Sequence, residues 1–189
     1  ISKDVLNAKK LYKHLIKILE KEDLEIAYIN LGNIYFEENK TQEALELYNK
    51  ALIVNPYNEK TYFNIAMIHL EDKDFEESRS FFLKAIALKK DYVNALINLA
   101  IVSKRLDYFD ESVVYFKQAI VYDKKNPDIY YNYANTLIKQ EKHLEALFFL
   151  DKALEFSFSD KSKILYTKAL IYQNKNLYLE AFELLQKAI

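Results

Sequence analysis

The amino-acid sequence repeats with a period of 34 residues, and this period constrains the possible folds more strongly than any other feature. Three interlocked series of positions carry it. An alanine followed by leucine or isoleucine recurs at Ala51, Ala85, Ala119 and Ala153, and again at Ala188, which precedes Ile189. Small residues recur at Gly32, Ala66, Ala100, Ala134 and Ala169. A third series comprises Ala44, Ser78, Ser112, Ala146 and Ala181. Each series keeps the 34-residue step up to its last member, which follows after 35 residues. Three series at one period indicate a chain built from repeated structural units.

Each repeat has the pattern of a pair of packed helices. Apolar residues within a repeat follow the i, i+3, i+4, i+7 spacing of amphipathic helices. Small residues recur where two helices would cross most closely, because a larger side chain would force them apart. The chain of 189 residues contains one glycine, which is too few for the turns of an all-β fold or for glycine-rich phosphate-binding loops. The sequence therefore predicts an all-α fold of stacked helix pairs.

Turn residues separate the predicted helices. Between repeats, Pro56 and the Asn126-Pro127 pair mark positions where a helix must stop. The turns inside the repeats fall at Asn39, Lys73, Asp107, Glu141 and Asn176. Asparagine and aspartate tolerate a left-handed backbone better than most residues, so Lys73 and Glu141 are less expected there.

The first complete repeat resembles the tetratricopeptide repeat (TPR), whose signature is W-x2-L-G-x2-Y, then A-x3-F, then P. The matching residues are Tyr28, Leu31, Gly32, Tyr35, Ala44, Tyr48, Ala51 and Pro56. The tryptophan and the phenylalanine of the signature are each replaced by another aromatic residue, at Tyr28 and Tyr48. The resemblance implies a right-handed α-solenoid of stacked antiparallel helix pairs, the TPR superhelix.

The resemblance covers essentially the whole chain. It divides the sequence into five repeats at residues 25–58, 59–92, 93–126, 127–160 and 162–189. A helix within residues 1–22 resembles the second helix of a preceding repeat. The last repeat is incomplete and has no capping helix, which solenoids normally need. We therefore expect the protein to continue beyond residue 189, or this exposed end to pack against a neighbouring molecule.

Asparagine recurs at one position of the first helix in four repeats, at Asn30, Asn64, Asn98 and Asn132. A carboxamide both donates and accepts hydrogen bonds, so it can pair with a peptide bond whatever the sequence of the ligand. The TPR region of the O-linked N-acetylglucosamine transferases is similar, because it carries an asparagine ladder that holds extended polypeptide. That likeness implies backbone binding by the four asparagines. Alternatively, they descend from one duplicated repeat and only bond neighbouring helices.

TPR arrays usually bind ligands along the inner face formed by the first helices, and the resemblance places a peptide-binding groove there. A net hydrogen bond contributes only about 0.5–1.5 kcal/mol, so apolar contacts must supply the remaining affinity. The predicted groove residues are Asn30, Asn33, Asn64, Asn98, Asn132, Asn135, Phe63, Met67, Ile97, Ile101 and Tyr131. For Phe63 and Tyr131, packing in the core between repeats is an equal alternative.

One known class of TPR ligand does not fit. TPR co-chaperones that grip the acidic carboxyl terminus of heat-shock chaperones use three cationic residues in a carboxylate clamp. The corresponding positions here hold Ile29, Asn94 and Asn98. A terminal carboxylate would therefore have no charged partner, and we expect no binding of that ligand.

Composition argues against several other functions. The 27 basic and 28 acidic residues nearly cancel, so we expect no nucleic-acid partner. The apolar stretches are too short to span a bilayer, so we expect no membrane insertion. Cysteine is absent, and the histidines His14, His69 and His143 fall in different repeats. We therefore expect no catalytic residue, no metal site and no cofactor.

The sequence as a whole predicts a protein–protein interaction module or scaffold that is not an enzyme. It would bind a peptide segment or a partner protein of unknown identity in its concave groove, and we expect it in the cytoplasm. A second reading is the substrate-recruiting arm of a larger enzyme, such as a glycosyltransferase, with the catalytic domain outside this chain. A third is a scaffold that self-associates through its uncapped last repeat.

Overall fold

A computed structural model describes residues 3–20 and 23–188, and this part of the chain forms eleven helices and no strand. The helices are α1 Lys3–Ile18, α2 Leu24–Glu37, α3 Thr41–Val54, α4 Glu59–Glu71, α5 Phe75–Leu88, α6 Val93–Arg105, α7 Phe109–Tyr122, α8 Pro127–Lys139, α9 His143–Glu155, α10 Lys161–Asn174 and α11 Tyr178–Ala188. The predicted all-α fold is confirmed. The chain divides into two compact units, an N-terminal unit of residues 1–95 and a C-terminal unit of residues 96–189.

In the N-terminal unit, each helix packs against the next one along the chain, from α1 to α5. The short turns between them make neighbouring helices antiparallel, and the first helices α2 and α4 also contact each other. The helix predicted within residues 1–22 occupies Lys3–Ile18, while residues 1, 2, 21 and 22 lie outside the described residues. This packing places α2 and α4 side by side.

In the C-terminal unit, the same succession of contacts runs from α7 to α11. Helix α6 begins at Val93, and its residues from Leu96 onward belong to this unit. Ile189, the last member of the alanine-containing series, lies outside the described residues. The two helices that the sequence assigns to the start of the fourth and fifth repeats are α8 and α10.

The small residues of the repeat are buried where helices meet. Ala66, Ala100 and Ala134 are fully buried, as are Ser78 and Ser112 of the third series. The Ser78 hydroxyl donates a hydrogen bond of 2.9 Å to the Ala66 carbonyl, which satisfies a polar group inside the core. The helices approach closely at these positions because the side chains are small.

Gly32 shows how tight this packing is. A Cβ atom added at Gly32 would lie 2.6 Å from Cε1 of Tyr48, a fully buried residue on α3. The glycine has an ordinary helical backbone in α2, so it is required for its size rather than for its conformational freedom. The predicted close crossing of α2 and α3 at Gly32 is confirmed.

All five turn residues predicted within repeats adopt the left-handed conformation. Their φ angles are 58° at Asn39, 62° at Lys73, 61° at Asp107, 60° at Glu141 and 61° at Asn176. At Lys73 the backbone closes a Schellman motif, since Lys73 N–H donates to the Leu70 carbonyl and Asp74 N–H donates to the His69 carbonyl. These hydrogen bonds hold Lys73 in a conformation that its residue type disfavours.

The turn after α9 was not predicted to be left-handed. Ser157 has a φ of 63°, and Phe158 N–H donates to the Ala153 carbonyl at 3.0 Å. The helix therefore ends with the same motif although the position carries neither glycine nor asparagine.

The two prolines between repeats act differently from each other. Pro56 lies in the loop that follows α3, as expected of a residue that stops a helix. Pro127 instead begins α8, where proline needs no hydrogen-bond partner for its nitrogen. The Asn126 side chain caps this helix by accepting a hydrogen bond of 3.1 Å from Asp128 N–H.

Candidate functional site

The eleven predicted groove residues share a location and a degree of burial. All lie on the helices that begin the repeats, and each is partly buried rather than core or fully exposed. Helix α2 carries Asn30 and Asn33, α4 carries Phe63, Asn64 and Met67, α6 carries Ile97, Asn98 and Ile101, and α8 carries Tyr131, Asn132 and Asn135. Partial burial suits a binding residue, because neighbours hold the side chain while part of it can contact a ligand.

In the N-terminal unit, a hydrogen-bond network joins three helices through Asn33. The Tyr48 hydroxyl donates to Asn33 Oδ1 at 2.7 Å, and Asn64 Nδ2 donates to the same oxygen at 3.0 Å. Burial raises the pKa of Tyr48, and the charge of Glu37 raises it further, so the phenol stays protonated and keeps donating. Asn33 is thereby fixed by a core residue on one side and a predicted ladder residue on the other.

The sequence interpretation missed Tyr48 as a polar partner. It treated Tyr48 only as a large apolar residue that precedes Ala51. A comparison of the first two repeats contains the signal that could have shown this role. The pair of Tyr48 and Asn33 in the first repeat becomes Phe82 and Met67 in the second, so the hydroxyl and its acceptor are lost together.

The other ladder asparagines of the described chain have different partners. Asn30 Nδ2 donates to the Tyr12 hydroxyl at 3.2 Å, which links α2 to α1. Asn132 Nδ2 donates at 2.9 Å to the Asp128 carbonyl of its own helix. Asn98 also has an intramolecular interaction. One repeat position thus supports several hydrogen-bonding arrangements, and a carboxamide has the donors and the acceptor for all of them.

Phe63 and Tyr131 differ in their surroundings. The ring of Phe63 lies 5.5 Å from that of Phe82 and 5.1 Å from that of Tyr92, which is the spacing of packed aromatic pairs. Tyr131 packs on Phe158 at 4.7 Å, and Lys163 Nζ lies 5.1 Å from the centre of its ring. Phe63 is therefore held within an aromatic cluster, while Tyr131 also borders a cleft.

That cleft, here called the Tyr131 cleft, has a volume of about 390 Å³ and is formed by α8 and α10. Its lining comprises Tyr131, Asn135, Ile138, Lys163, Tyr166, Thr167, Leu170, Ile171 and Asn174. Tyr166 and Leu170 are exposed on its wall. Apolar and aromatic walls with a few amide groups are typical of a binding cleft. Two of the predicted groove residues, Tyr131 and Asn135, belong to it.

A second cleft, the Lys104 cleft, has a volume of about 410 Å³ and contains a concentration of basic residues. Its lining comprises Lys104, Arg105, Asp107, Asn135, Ile138 and Lys139. Burial lowers the pKa of Lys104, and the charges of Arg105 and Lys139 lower it further. The sequence interpretation missed this cluster, although Arg105 and Lys139 are separated by the repeat period of 34 residues.

The histidines lie on different helices, His14 on α1, His69 on α4 and His143 on α9. His69 Nδ1 lies 3.3 Å from Asp74 Oδ2, and its ring stacks on Phe81 with 5.5 Å between centres. Nδ1 of His143 is buried without a hydrogen-bond partner in the described part of the chain. Across residues 3–20 and 23–188, no cluster of three or more His, Cys, Asp or Glu side chains is arranged to hold a metal ion. Of the helices described, none combines the length and the hydropathy needed to cross a bilayer.

Comparison with known proteins identifies the repeats. Models of the tetratricopeptide repeat match residues 26–58, 59–92, 115–148 and 162–189, which together make up more than half of the chain. A comparison with curated protein sequences finds no match.

Solved structures share the fold at low sequence identity. YrrB, described as a TPR protein with an unusual peptide-binding site, is 22% identical with a TM-score of 0.81, over 96% of this chain and 92% of its own. MamA from Desulfovibrio magneticus RS-1 is 13% identical with a TM-score of 0.81, over 90% and 94%. BtubC from P. vanneervenii is 14% identical with a TM-score of 0.81, over 98% and 87%. The predicted solenoid class of stacked helix pairs is confirmed by these likenesses.

Proposed function

The chain belongs to the tetratricopeptide-repeat family, and on this premise we propose that it is a protein-interaction scaffold. It binds a peptide segment or a partner protein along the faces of the helices that begin its repeats. The observation that carries this proposal is the Tyr131 cleft, which α8 and α10 line with aromatic, aliphatic and amide groups. YrrB, which has the same fold, is described as having a peptide-binding site.

The asparagines supply hydrogen bonds for a polypeptide backbone. Asn64 donates one N–H to Asn33, and its Oδ1 accepts no hydrogen bond from a described residue. Asn33 accepts two hydrogen bonds at Oδ1, and its own N–H groups have no acceptor among the described residues. A peptide N–H can therefore donate to Asn64, and a peptide carbonyl can accept from Asn33.

The finer proposal is an asparagine ladder of the kind found in the O-linked N-acetylglucosamine transferases, comprising Asn30, Asn64, Asn98 and Asn132. Asn30 and Asn132 each donate one N–H internally, and a carboxamide has a second N–H and an oxygen to offer. The alternative explanation is that the asparagines bond neighbouring helices. Asn30 and Asn64 do form such bonds, to Tyr12 and to Asn33. Both functions are compatible because one internal hydrogen bond orients the amide for a ligand.

The test uses peptides selected from a random peptide library on the whole chain. We expect Asn64→Ala and Asn98→Ala to weaken their binding, with helicity unchanged and the free energy of unfolding lowered by no more than about 0.5–1.5 kcal/mol, the contribution of one hydrogen bond. The matched control is Asn49→Ala, an asparagine on the exposed part of α3. Unaltered affinity of the Asn64 and Asn98 variants, or an equal loss in the Asn49 variant, contradicts the ladder.

A second candidate function is self-association through the last repeat. Helix α11 has three exposed large apolar side chains, Tyr178 at 62%, Leu179 at 79% and Phe182 at 58%. Together they form an apolar surface that could contact a second copy of the chain. Sedimentation of the chain and of Phe182→Glu tests this candidate. A monomer at all concentrations rules it out, whereas an assembly that the substitution dissolves supports it.

We propose that the chain itself is not an enzyme and works in the cytoplasm, binding neither nucleic acid nor the acidic carboxyl terminus of heat-shock chaperones. Should it serve as the recruiting arm of a larger enzyme, the same helix faces would hold the substrate. The full-length sequence distinguishes the two, and cell fractionation tests the location.

A further inference from the structure

Two clefts of the C-terminal unit meet at the same pair of residues. Asn135 and Ile138 line both the Lys104 cleft and the Tyr131 cleft. Asn135 Nδ2 donates at 3.0 Å to the Tyr131 carbonyl, which holds its side chain against α8. A ligand that fills one cleft therefore reaches the other across Asn135 and Ile138.

The Lys104 cleft has an excess of positive charge. Lys104, Arg105 and Lys139 line it against a single carboxylate, that of Asp107. None of the three cations forms an ion pair with any residue in the described part of the chain. Lys104 is partly buried, so it has lost some of its hydration while lying beside two like charges. An anionic group placed here would relieve that repulsion and gain charge-assisted hydrogen bonds.

The charge at this position of the repeat reverses along the sequence. Arg105 and Lys139 occupy the repeat position that Glu37 and Glu71 hold in the first two repeats. A surface that only contacts water does not require the change from glutamate to arginine or lysine. The positive charges of Arg105 and Lys139, on first helices of successive repeats, repel each other unless an anion neutralises them. The basic residues therefore indicate a ligand of opposite charge in the C-terminal unit.

The Tyr131 cleft accepts an apolar group. Tyr166 and Leu170 expose large apolar side chains on its wall, at 54% and 40%, and Tyr131 supplies an aromatic face. Lys163 Nζ lies 5.1 Å from the centre of the Tyr131 ring, a cation–π contact that adds positive charge at the edge. An aromatic or leucine side chain suits this environment, and fixed anchors of this kind carry most of the affinity of a peptide.

We propose that the C-terminal unit binds an acidic peptide segment, placing aspartate or glutamate side chains in the Lys104 cleft and a neighbouring aromatic or leucine side chain in the Tyr131 cleft. This inference rests on the proposed function and specifies its ligand. It differs from the carboxylate clamp, whose cationic positions hold uncharged residues here, because internal carboxylates rather than a chain terminus carry the charge. A polypeptide is favoured over nucleic acid because an apolar cleft and an amide adjoin the cations.

The test measures fluorescence anisotropy with capped peptides in which glutamates precede or follow a phenylalanine. Matched peptides replace the glutamates by glutamine, or the phenylalanine by serine. The whole chain is compared with two variants. The cleft variant carries both Lys104→Gln and Lys139→Gln, and the second variant carries Tyr166→Ser. The charge-matched control pairs Lys117→Gln with Lys125→Gln, two exposed lysines of the same unit that line neither cleft. Melting temperatures establish that every variant is folded.

The glutamate peptide is expected to bind the cleft variant at least about tenfold more weakly than the original chain, with no loss in the charge-matched control. Raising the salt concentration weakens binding of the glutamate peptide to the original chain. Tyr166→Ser weakens its binding at low salt concentration as well. Equal binding of the glutamate and glutamine peptides overturns the inference, as does an equal loss in the control or no binding of any probe. The proposed function falls separately, only if a random peptide library also yields no peptide that binds the chain.

Discussion

The Tyr48 hydroxyl donates a 2.7 Å hydrogen bond to Asn33 Oδ1, connecting a fully buried core residue to a predicted groove residue. Asn64 donates to the same oxygen. The core of the first repeat therefore determines how two amides of the candidate site are presented. In the second repeat the equivalent residues are Phe82 and Met67, where neither hydroxyl nor acceptor is needed.

Removing this hydroxyl should cost both stability and binding. Tyr48→Phe leaves the ring in place and deletes one partly buried hydrogen bond, so we expect the free energy of unfolding to fall by about 0.5–1.5 kcal/mol. Peptide affinity should fall too, because Asn33 loses one of its two fixed partners. Urea unfolding and peptide titration measure the two effects. Tyr57→Phe, which alters an exposed tyrosine, should change neither, and an equal effect there would contradict the account.

Gly32 and Tyr48 should be coupled in their effects on stability. Gly32→Ala places a Cβ 2.6 Å from the Tyr48 ring, and overpacking of this kind costs about 1–3 kcal/mol. The hydrogen bond to Asn33 prevents the ring from retreating. In the Tyr48→Phe background the cost should shrink, since Ala66 and Phe82 coexist at the same positions of the second repeat.

A double-mutant cycle measured by urea unfolding gives this coupling directly. Additive effects of Gly32→Ala and Tyr48→Phe would show that the hydroxyl does not fix the ring. A stabilising Gly32→Ala would mean that the crossing of α2 and α3 relaxes freely.

Lys73 holds a backbone conformation that favours glycine. Its φ of 62° costs a residue with a side chain about 1–2 kcal/mol. Replacement by glycine removes this cost, but it also raises the entropy of the unfolded chain, which cancels part of the gain in stability. We therefore expect Lys73→Gly to raise the melting temperature. Lys73→Ala serves as the control, because it removes the long side chain but keeps the Cβ. A gain of equal size in Lys73→Ala would assign the effect to charge instead.

Stability should depend on pH through Glu38. Hydrogen bonds from Lys40 and then Lys9 lower the pKa of Glu38 from 4.5 to about 2. Because the folded pKa lies below the unfolded value, the stabilisation is complete above about 4.5 and is lost as the pH falls through about 2. Carbon-detected NMR titration of the Glu38 carboxyl group measures the pKa, and thermal melts measure the stability.

Two variants separate this effect from general acid unfolding. Glu38→Gln should flatten the dependence of melting temperature on pH in this window. Glu46→Gln, on the exposed part of α3, should leave it in place. A Glu38 pKa near 4.5 in the folded protein would contradict the ion-pair geometry.

The sequence predicted those features that recur with the repeat. The turn residues, including Lys73, and the close crossing at Gly32 follow from position in the 34-residue period, because each repeat solves the same packing problem. Ser157 escaped prediction, since neither its residue type nor the turns inside the repeats point to a left-handed backbone there. The Asn126-Pro127 pair does lie in the gap between α7 and α8, and the structure adds that Pro127 is the first residue of α8.

The candidate site was less predictable because it depends on side chains that depart from the repeat. Tyr48 donates a hydrogen bond only because Asn33 is present across the helix pair. The Lys104 cleft needs Lys104 and Lys139, which lie on different helices. Such combinations are invisible to a pattern that treats every repeat alike.

The central claim, that asparagines on the first helices contact the bound peptide, is tested most directly by NMR of their side-chain amide groups. Adding a library-selected peptide to labelled protein should shift the amide signals of Asn33, Asn64, Asn98 and Asn132, while that of Asn49 stays unchanged. Saturating binding that leaves these four signals in place would contradict the claim.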